Sequence, residues 1–153
     1  MKTQENINTL NDLLHVVYDR LKGFGQVEGK VWETDADLKR SYEDITSQSK
    51  IMKNELIDLI SEKGGKAQDN ASLSGTLHRT WIDVKNGFIV DNLQTSTLND
   101  VLFGEKAAIQ IYQEALDSGT LDQDSRSIVS EQLKKIKDSV HYFQGVLDNY
   151  KSN

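Results

Sequence analysis

The chain contains no cysteine and no proline among its 153 residues. Without cysteine it has no disulfide, no thiolate metal ligand and no thiol nucleophile. Without proline, long uninterrupted helices are favoured, because proline costs roughly 3 kcal/mol in a helix interior. The sequence also lacks the run of about 18 apolar residues that a membrane-spanning helix needs, and Met1–Glu5 does not resemble a signal peptide. We therefore expect an all-α cytoplasmic protein with no membrane segment.

The charge of the chain limits the classes of partner that we expect. The formal net charge is -6 and the isoelectric point is about 5.0. The tightest basic group is Lys134, Lys135 and Lys137, which spacing places on the outer face of one helix as a solvated surface. A chain with this charge and no basic stripe repels phosphate backbones. Nucleic acid is therefore not an expected ligand.

Four stretches carry apolar residues at alternating spacings of three and four, which is typical of helices with one buried face. The length fits a single domain spanning 1–153. The predicted helices cover about 5–31, 34–63, 93–118 and 124–151. The stripe on the fourth helix consists of apolar residues throughout: Val129, Leu133, Ile136, Val140, Phe143, Leu147 and Tyr150.

The segment between the second and third helices is too long for a hairpin. It runs over 66–92 and carries a short helical pattern of its own, formed by Leu73, Leu77, Trp81, Val84 and Phe88. A connection of this length can run along a bundle and join two parallel helices, as in ferritin-like folds. The predicted fold is therefore a ferritin-like four-helix bundle with a long crossover that carries a short helix.

The two halves of the chain resemble each other at an offset of 88 residues. Thr9–Asp12 recurs as Thr97–Asp100, and Leu14 and Leu102 correspond at the same offset. The apolar stripes of the two helix pairs align as well. This suggests two helix hairpins related by pseudo-symmetry, although any two amphipathic helices align to some degree.

Three motifs resemble a family of bacterial ferritin-like four-helix bundles grouped as a domain of unknown function. They are Leu10–Leu13, the crossover motif Leu77–Lys85, and Gly104–Ala108 followed by Tyr112–Leu116. The resemblance covers nearly the whole chain and implies the fold, whereas the family carries no established reaction. One departure lies in the first helix, where the family usually has a glycine after an acidic residue and this chain has Asp19-Arg20.

The expected chemistry of a ferritin-like bundle is missing from the sequence. A di-metal site needs inward carboxylates and histidines, usually with Glu-x-x-His on one helical face. The chain has no Glu-x-x-His, and the fourth helix has no carboxylate or histidine on its stripe. Glu105 is the one acidic residue on a predicted apolar face. We expect no enzyme activity, no catalytic residue and no cofactor, the alternative being Fe or Mn at a degenerate site around Glu105.

A carboxylate on a core face needs a partner, because burying an unpaired charge is costly. The candidate buried polar network comprises Glu105, His78, Arg79, Ser49 and Tyr112, and Lys53 is a further possible donor. A structural network is favoured over a binding site. On that hypothesis Glu105→Leu is tolerated unless it leaves a buried donor without an acceptor.

Two functional hypotheses remain. The first is a non-catalytic, stress-associated or protein-interaction bundle that acts through its surface or by self-association. The second is a ferritin-like metal-binding protein with a reduced site around Glu105.

Overall fold

The computed structural model describes residues 2–27, 36–68 and 93–152, with side chains over 3–21, 40–68 and 101–149. Four long helices make up nearly all of these residues: α1 Lys2–Val27, α2 Ala36–Glu62, α3 Leu93–Asp117 and α4 Gln123–Ser152. No strand occurs in the described residues. The prediction of an all-α chain with four long helices is confirmed.

The predicted helix limits differ from the observed ones by a few residues. The first helix begins at Lys2 instead of about residue 5, and the second ends at Glu62, with Lys63 already in a turn. The predicted end of the first helix at about residue 31 and the predicted start of the second at residue 34 lie outside the described residues. The predicted crossover helix, with Trp81, lies outside them too.

All four neighbouring helix pairs are antiparallel. α1 packs against α2 and α3, and α4 packs against α3 and, less extensively, against α2. Side-chain hydrogen bonds show the relative direction of α1 and α3. Thr9 bonds to Thr120 and Arg20 bonds to Glu105, so the two helices are antiparallel. Since α2 is antiparallel to α1, α2 and α3 are parallel. The end of α2 and the start of α3 therefore lie at opposite ends of the helices.

We call the end where α2 and α3 finish the loop end. The turn after α2 closes with the amide of Gly65 donating to the carbonyl of Ile60 at 2.9 Å, and Gly64 has a φ of 81°. A left-handed residue at this place is the usual way to stop a helix, and glycine adopts it without steric cost. A Cβ on Gly65 would lie 2.7 Å from Cγ2 of Ile7, so the turn is packed directly on α1.

Apolar side chains fill the interior on both sides of the level at which Arg20 contacts Glu105. The large core cluster includes Leu10, Leu14, Leu56 and Ile136 and extends toward the loop end. The small core cluster lies on the other side and contains Tyr42, Ile45, Val101, Leu102, Phe143 and Leu147. Fully burying each such side chain contributes about 1.5–3 kcal/mol.

The predicted stripe on the fourth helix is largely buried. Val129, Leu133, Ile136, Phe143 and Leu147 are in the core, and Val140 is half-buried against the small core cluster. In the part of the chain that the structure describes, no helix combines the length and the apolarity needed to cross a bilayer.

Candidate functional site: a buried ion pair and its hydrogen bonds

Glu105 lies in the middle of α3, and only 2% of its surface is exposed. Both of its carboxylate oxygens accept hydrogen bonds from the guanidinium of Arg20 on α1. The distance from Arg20 Nε to Oε1 is 2.6 Å, and that from Nη2 to Oε2 is 2.7 Å. This is a bidentate arrangement, the strongest geometry available to an arginine and a carboxylate. The Arg20 side chain is itself only 3% exposed, so the pair lies in the core.

The third guanidinium nitrogen extends the contact to α2. Nη1 of Arg20 donates to the hydroxyl oxygen of Ser49 at 2.8 Å and lies 3.5 Å from the sulfur of Met52. A buried arginine needs most of its five N–H groups satisfied, because an unmatched buried donor carries a full desolvation penalty. Arg20, Ser49 and Glu105, which we call the polar layer, thus connect three helices at one level of the core.

A second chain of hydrogen bonds begins at Tyr112, two turns after Glu105 on α3. Its hydroxyl donates to Oε1 of Gln132 on α4 at 2.6 Å. The amide nitrogen of Gln132 then donates to the backbone carbonyl of Met52 and to Oε1 of Glu55, both at 3.1 Å on α2. Met52 therefore contacts both groups, through its sulfur and through its carbonyl.

Burial raises the pKa of the Tyr112 phenol. Desolvation is the largest cause, the positive charge of Arg20 opposes it, and the negative charges of Glu55 and Glu105 add to it. The phenol is consequently neutral at any physiological pH and serves as a hydrogen-bond donor. It is not poised to act as a base or a nucleophile.

The structure places three of the five residues of the predicted network in the core. Ser49 and Glu105 both contact the guanidinium of Arg20, while Tyr112 belongs to the neighbouring chain through Gln132. The other two, His78 and Arg79, lie outside the described residues.

Arg20 is the residue that sequence reasoning missed. Arginine is seldom fully buried, and a search along apolar stripes passes over it. The internal repeat contained the missing information. At an offset of 88 residues Arg20 corresponds to Ala108, which lies on the apolar stripe of α3 and is buried. Position 20 is therefore a core position, as is Val17, the equivalent of Glu105.

The polar layer has little capacity to hold a metal ion. Both carboxylate oxygens of Glu105 already accept hydrogen bonds from the guanidinium of Arg20. Within the described ranges, no three acidic or histidine side chains form a group that could bind a metal. Asp138 and His141, the nearest substitute for a Glu-x-x-His motif, are both exposed on α4.

Over the described residues these features define an all-α arrangement of four helices, compatible with a four-helix bundle, whose core contains a buried arginine–glutamate pair. A family model described as Domain of unknown function (DUF2383) matches residues 5–118. The chain belongs to this family. The match includes Arg20, Ser49, Glu105 and Tyr112 and ends before α4 begins. No curated protein and no solved structure matches the chain.

Proposed function

We propose that this protein is a non-catalytic helical bundle that acts by binding another protein, with Glu105 as part of its framework. The observation that carries the proposal is the bidentate pairing of Glu105 with Arg20 in the core. The centre of the helices, where a ferritin-like protein holds its metal ions, is occupied here by a guanidinium. The positive charge that Glu105 needs comes from the chain itself.

The surface supports an interaction role. Among the described residues, Ile51 is 56% exposed and Tyr142 is 40% exposed, which makes them the two exposed large hydrophobic side chains. They lie on α2 and α4, respectively. Exposed aromatic and aliphatic side chains are the usual anchors of protein interfaces.

The alternative is a ferritin-like metal-binding protein with a reduced site at Glu105. For Glu105 to bind Fe²⁺ or Mn²⁺, Arg20 has to leave both carboxylate oxygens and remain charged nearby. A divalent ion beside an unpaired buried guanidinium adds repulsion to the loss of the ion pair. The interaction hypothesis is therefore favoured.

Thermal melts with and without metal test whether Glu105 binds a metal ion. Wild type, Glu105→Gln and the exposed-site control Glu131→Gln are each melted with chelator and then with Fe²⁺, Mn²⁺ or Zn²⁺. A ligand present at 100 times its Kd stabilises the folded state by about 2.7 kcal/mol. We expect no metal-dependent rise in Tm that requires Glu105. A rise that wild type and Glu131→Gln share and Glu105→Gln loses would overturn the proposal.

Cross-linking in intact cells tests the interaction role separately. Discrete adducts heavier than the monomer support it. If linkers of several lengths yield only monomer, the role is contradicted.

A further inference from the structure

The interface between α2 and α4 has a register that can be read from its contacts. Gln132 on α4 donates to Glu55 on α2, and Lys63 pairs with Asp122 at 2.6 Å nearer the loop end. In antiparallel helices a contact recurs when one position moves forward by seven and the other moves back by seven. The positions equivalent to Gln132 and Glu55 are therefore Ser139 and Gln48.

Ser139 and Gln48 leave hydrogen-bonding capacity unused. Ser139 is only 6% exposed, and its hydroxyl has no hydrogen-bond partner among the described residues. The same holds for the buried Oε1 of Gln48. Buried polar atoms are nearly always paired, so these two atoms mark a stretch of the α2–α4 interface whose hydrogen bonding is incomplete within the described residues.

The exposed hydrophobic side chains flank the same interface. Ile51 lies three residues after Gln48 and four before Glu55, so it shares their edge of α2. Tyr142 lies three residues after Ser139, on the corresponding edge of α4. We call the surface between these edges the α2–α4 groove. Each edge carries one large exposed hydrophobic side chain, and such side chains are the usual anchors of protein interfaces.

Charge along the groove is uneven. Toward the loop end α2 presents Glu55, Asp58 and Glu62, and α4 presents Asp124 and Glu131 nearby on its outer side. Lys135 of α4 lies on the same edge, and Lys63 at the loop end is paired with Asp122. The groove is therefore acidic at the loop end and apolar around Ile51 and Tyr142.

We propose that the α2–α4 groove binds an amphipathic helix of another protein, with apolar residues against Ile51 and Tyr142 and lysine or arginine residues toward Glu55, Asp58 and Glu62. This inference rests on the proposed interaction function and specifies the partner. An amphipathic helix fits because Ile51 and Tyr142 lie on two adjacent helices, and a helix docked along both presents its own apolar residues at i, i+3, i+4 and i+7. Basic residues fit because complementary charge guides association and selects the partner.

Charge disfavours a second copy of the chain as the occupant. The net charge is -6, and the acidic part of one groove would approach the same part of another in a parallel pair. The chain itself leaves α2 in another direction. After the turn, the carbonyl of Lys66 and the amide of Gln68 both bond to the side chain of Asn11 on α1.

Two synthetic helical peptides provide the test. One has leucine at i, i+3, i+4 and i+7 positions and lysine elsewhere, and the other has glutamate in place of every lysine. Binding to the full chain is measured by fluorescence anisotropy, and the contacted residues are mapped by amide chemical-shift changes. We expect the lysine peptide to bind and to shift the amides around Ile51, Ser139 and Tyr142, and the glutamate peptide to bind much more weakly.

Matched variants separate the groove from general attraction to an acidic protein. The double variant Ile51→Ser with Tyr142→Ser should weaken binding by about tenfold or more, since anchor residues dominate such interfaces. Asp58→Lys and Asp117→Lys change the net charge equally, and both positions are exposed. Only Asp58→Lys should weaken binding. Thermal melts confirm that every variant is folded.

Each other outcome overturns the inference. If the lysine peptide binds all variants equally, or shifts residues elsewhere, the groove assignment is wrong while an interaction role stands. If neither peptide binds, the partner chemistry is wrong. If sedimentation velocity shows a dimer that Ile51→Ser disrupts, the occupant is a second copy.

Discussion

The α1–α3 and α2–α4 interfaces occupy equivalent places in the internal repeat and are built in different ways. At an offset of 88 residues α1 corresponds to α3 and α2 to α4, so each interface packs a helix against its own repeat counterpart. The α1–α3 interface contains the charged pair Arg20–Glu105, with both carboxylate oxygens satisfied. The α2–α4 interface has no buried ion pair among the described residues; its charged groups, Glu55 and the Lys63–Asp122 pair, are partly exposed. Ser139 and Gln48 each retain a buried atom that has no hydrogen-bond partner within the described residues.

The difference shows what a buried polar group does in each place. In the α1–α3 interface a complete ion pair fixes which positions of the two helices face each other, since any shift would separate two buried charges. In the α2–α4 interface, Gln132 is satisfied by Tyr112, Met52 and Glu55, but the next heptad is incomplete. The first arrangement is typical of a framework. The second has incomplete hydrogen bonding within the described residues, and it lies beneath the surface where we propose that a partner binds.

The largest expected effect comes from breaking the ion pair. Arg20→Met leaves Glu105 buried without a counter-charge and should lower the free energy of unfolding by about 3–5 kcal/mol, measured by urea denaturation. Glu105→Leu should destabilise for the same reason, because it strands Arg20. A single variant within about 1 kcal/mol of wild type would contradict a buried pair.

The double variant Arg20→Met with Glu105→Leu is the control for that prediction. Replacing both partners by apolar residues removes the two charges together, and such replacements are often neutral or stabilising. The double variant should therefore be more stable than either single variant. If it is the least stable of the three, the loss arises from packing and not from a stranded charge.

Tyr112→Phe tests the hydrogen bonds that join α3, α4 and α2. The substitution keeps the ring and removes the hydroxyl, so Oε1 of Gln132 loses its donor in a buried place. The expected loss is about 1–2 kcal/mol, measured by thermal or urea unfolding. Tyr142→Phe is the matched control: its ring is 40% exposed, and its effect should stay within about 0.5 kcal/mol. Equal effects at the two tyrosines would count against the buried hydrogen bond.

Two serine-to-alanine substitutions compare the interfaces directly. Ser49→Ala removes the acceptor for Nη1 of Arg20 and should cost about 1–2 kcal/mol. Ser139→Ala removes a buried hydroxyl that has no partner among the described residues. It should leave stability unchanged or raise it slightly, because desolvation of the hydroxyl is no longer required. Differential scanning calorimetry of both variants measures these changes in stability. A larger loss of stability for Ser139→Ala than for Ser49→Ala would contradict the prediction.

The smallest expected effect concerns the ion pair between Lys63 and Asp122, which joins α2 to α4 at the loop end. Partial burial opposes ionisation of Asp122, but hydrogen bonds from Lys63 and from the amide of Ser125 outweigh it and lower the pKa to about 2 from 3.8. Because the folded-state pKa is the lower one, the stabilisation is present above about pH 4. It is lost as the pH falls toward 2.

Stability measured against pH tests this prediction through Asp122→Asn. The gap in Tm between wild type and variant should be greatest at neutral pH and should narrow below about pH 4. The gap should be small, because the Asp122 side chain is 49% exposed and solvent screens such pairs. Asp117→Asn, on the exposed end of α3, should show no comparable narrowing. A gap that is constant across the range would mean that the contact does not depend on the charge of Asp122.

Much of the architecture could be predicted from spacing alone, whereas the partner of Glu105 could not. Apolar residues at intervals of three and four define one face of a helix, so Glu105 could be placed in the core before its surroundings were known. Spacing along one helix does not say which residue of another helix lies at the same level. Arg20 donates to both oxygens of Glu105. His78 and Arg79, the donors predicted from the sequence, lie outside the described residues.

The sequence by itself determined that the chain is all-α, because it lacks proline and carries four amphipathic stretches of helical period. It also determined that a carboxylate in the core would need a counter-charge. Only the tertiary structure decided that this charge comes from Arg20 and that Ser49 accepts a further hydrogen bond from the same guanidinium. The reason is physical: the relative register of two helices is set by the packing of all their side chains together, which no single stretch of sequence contains.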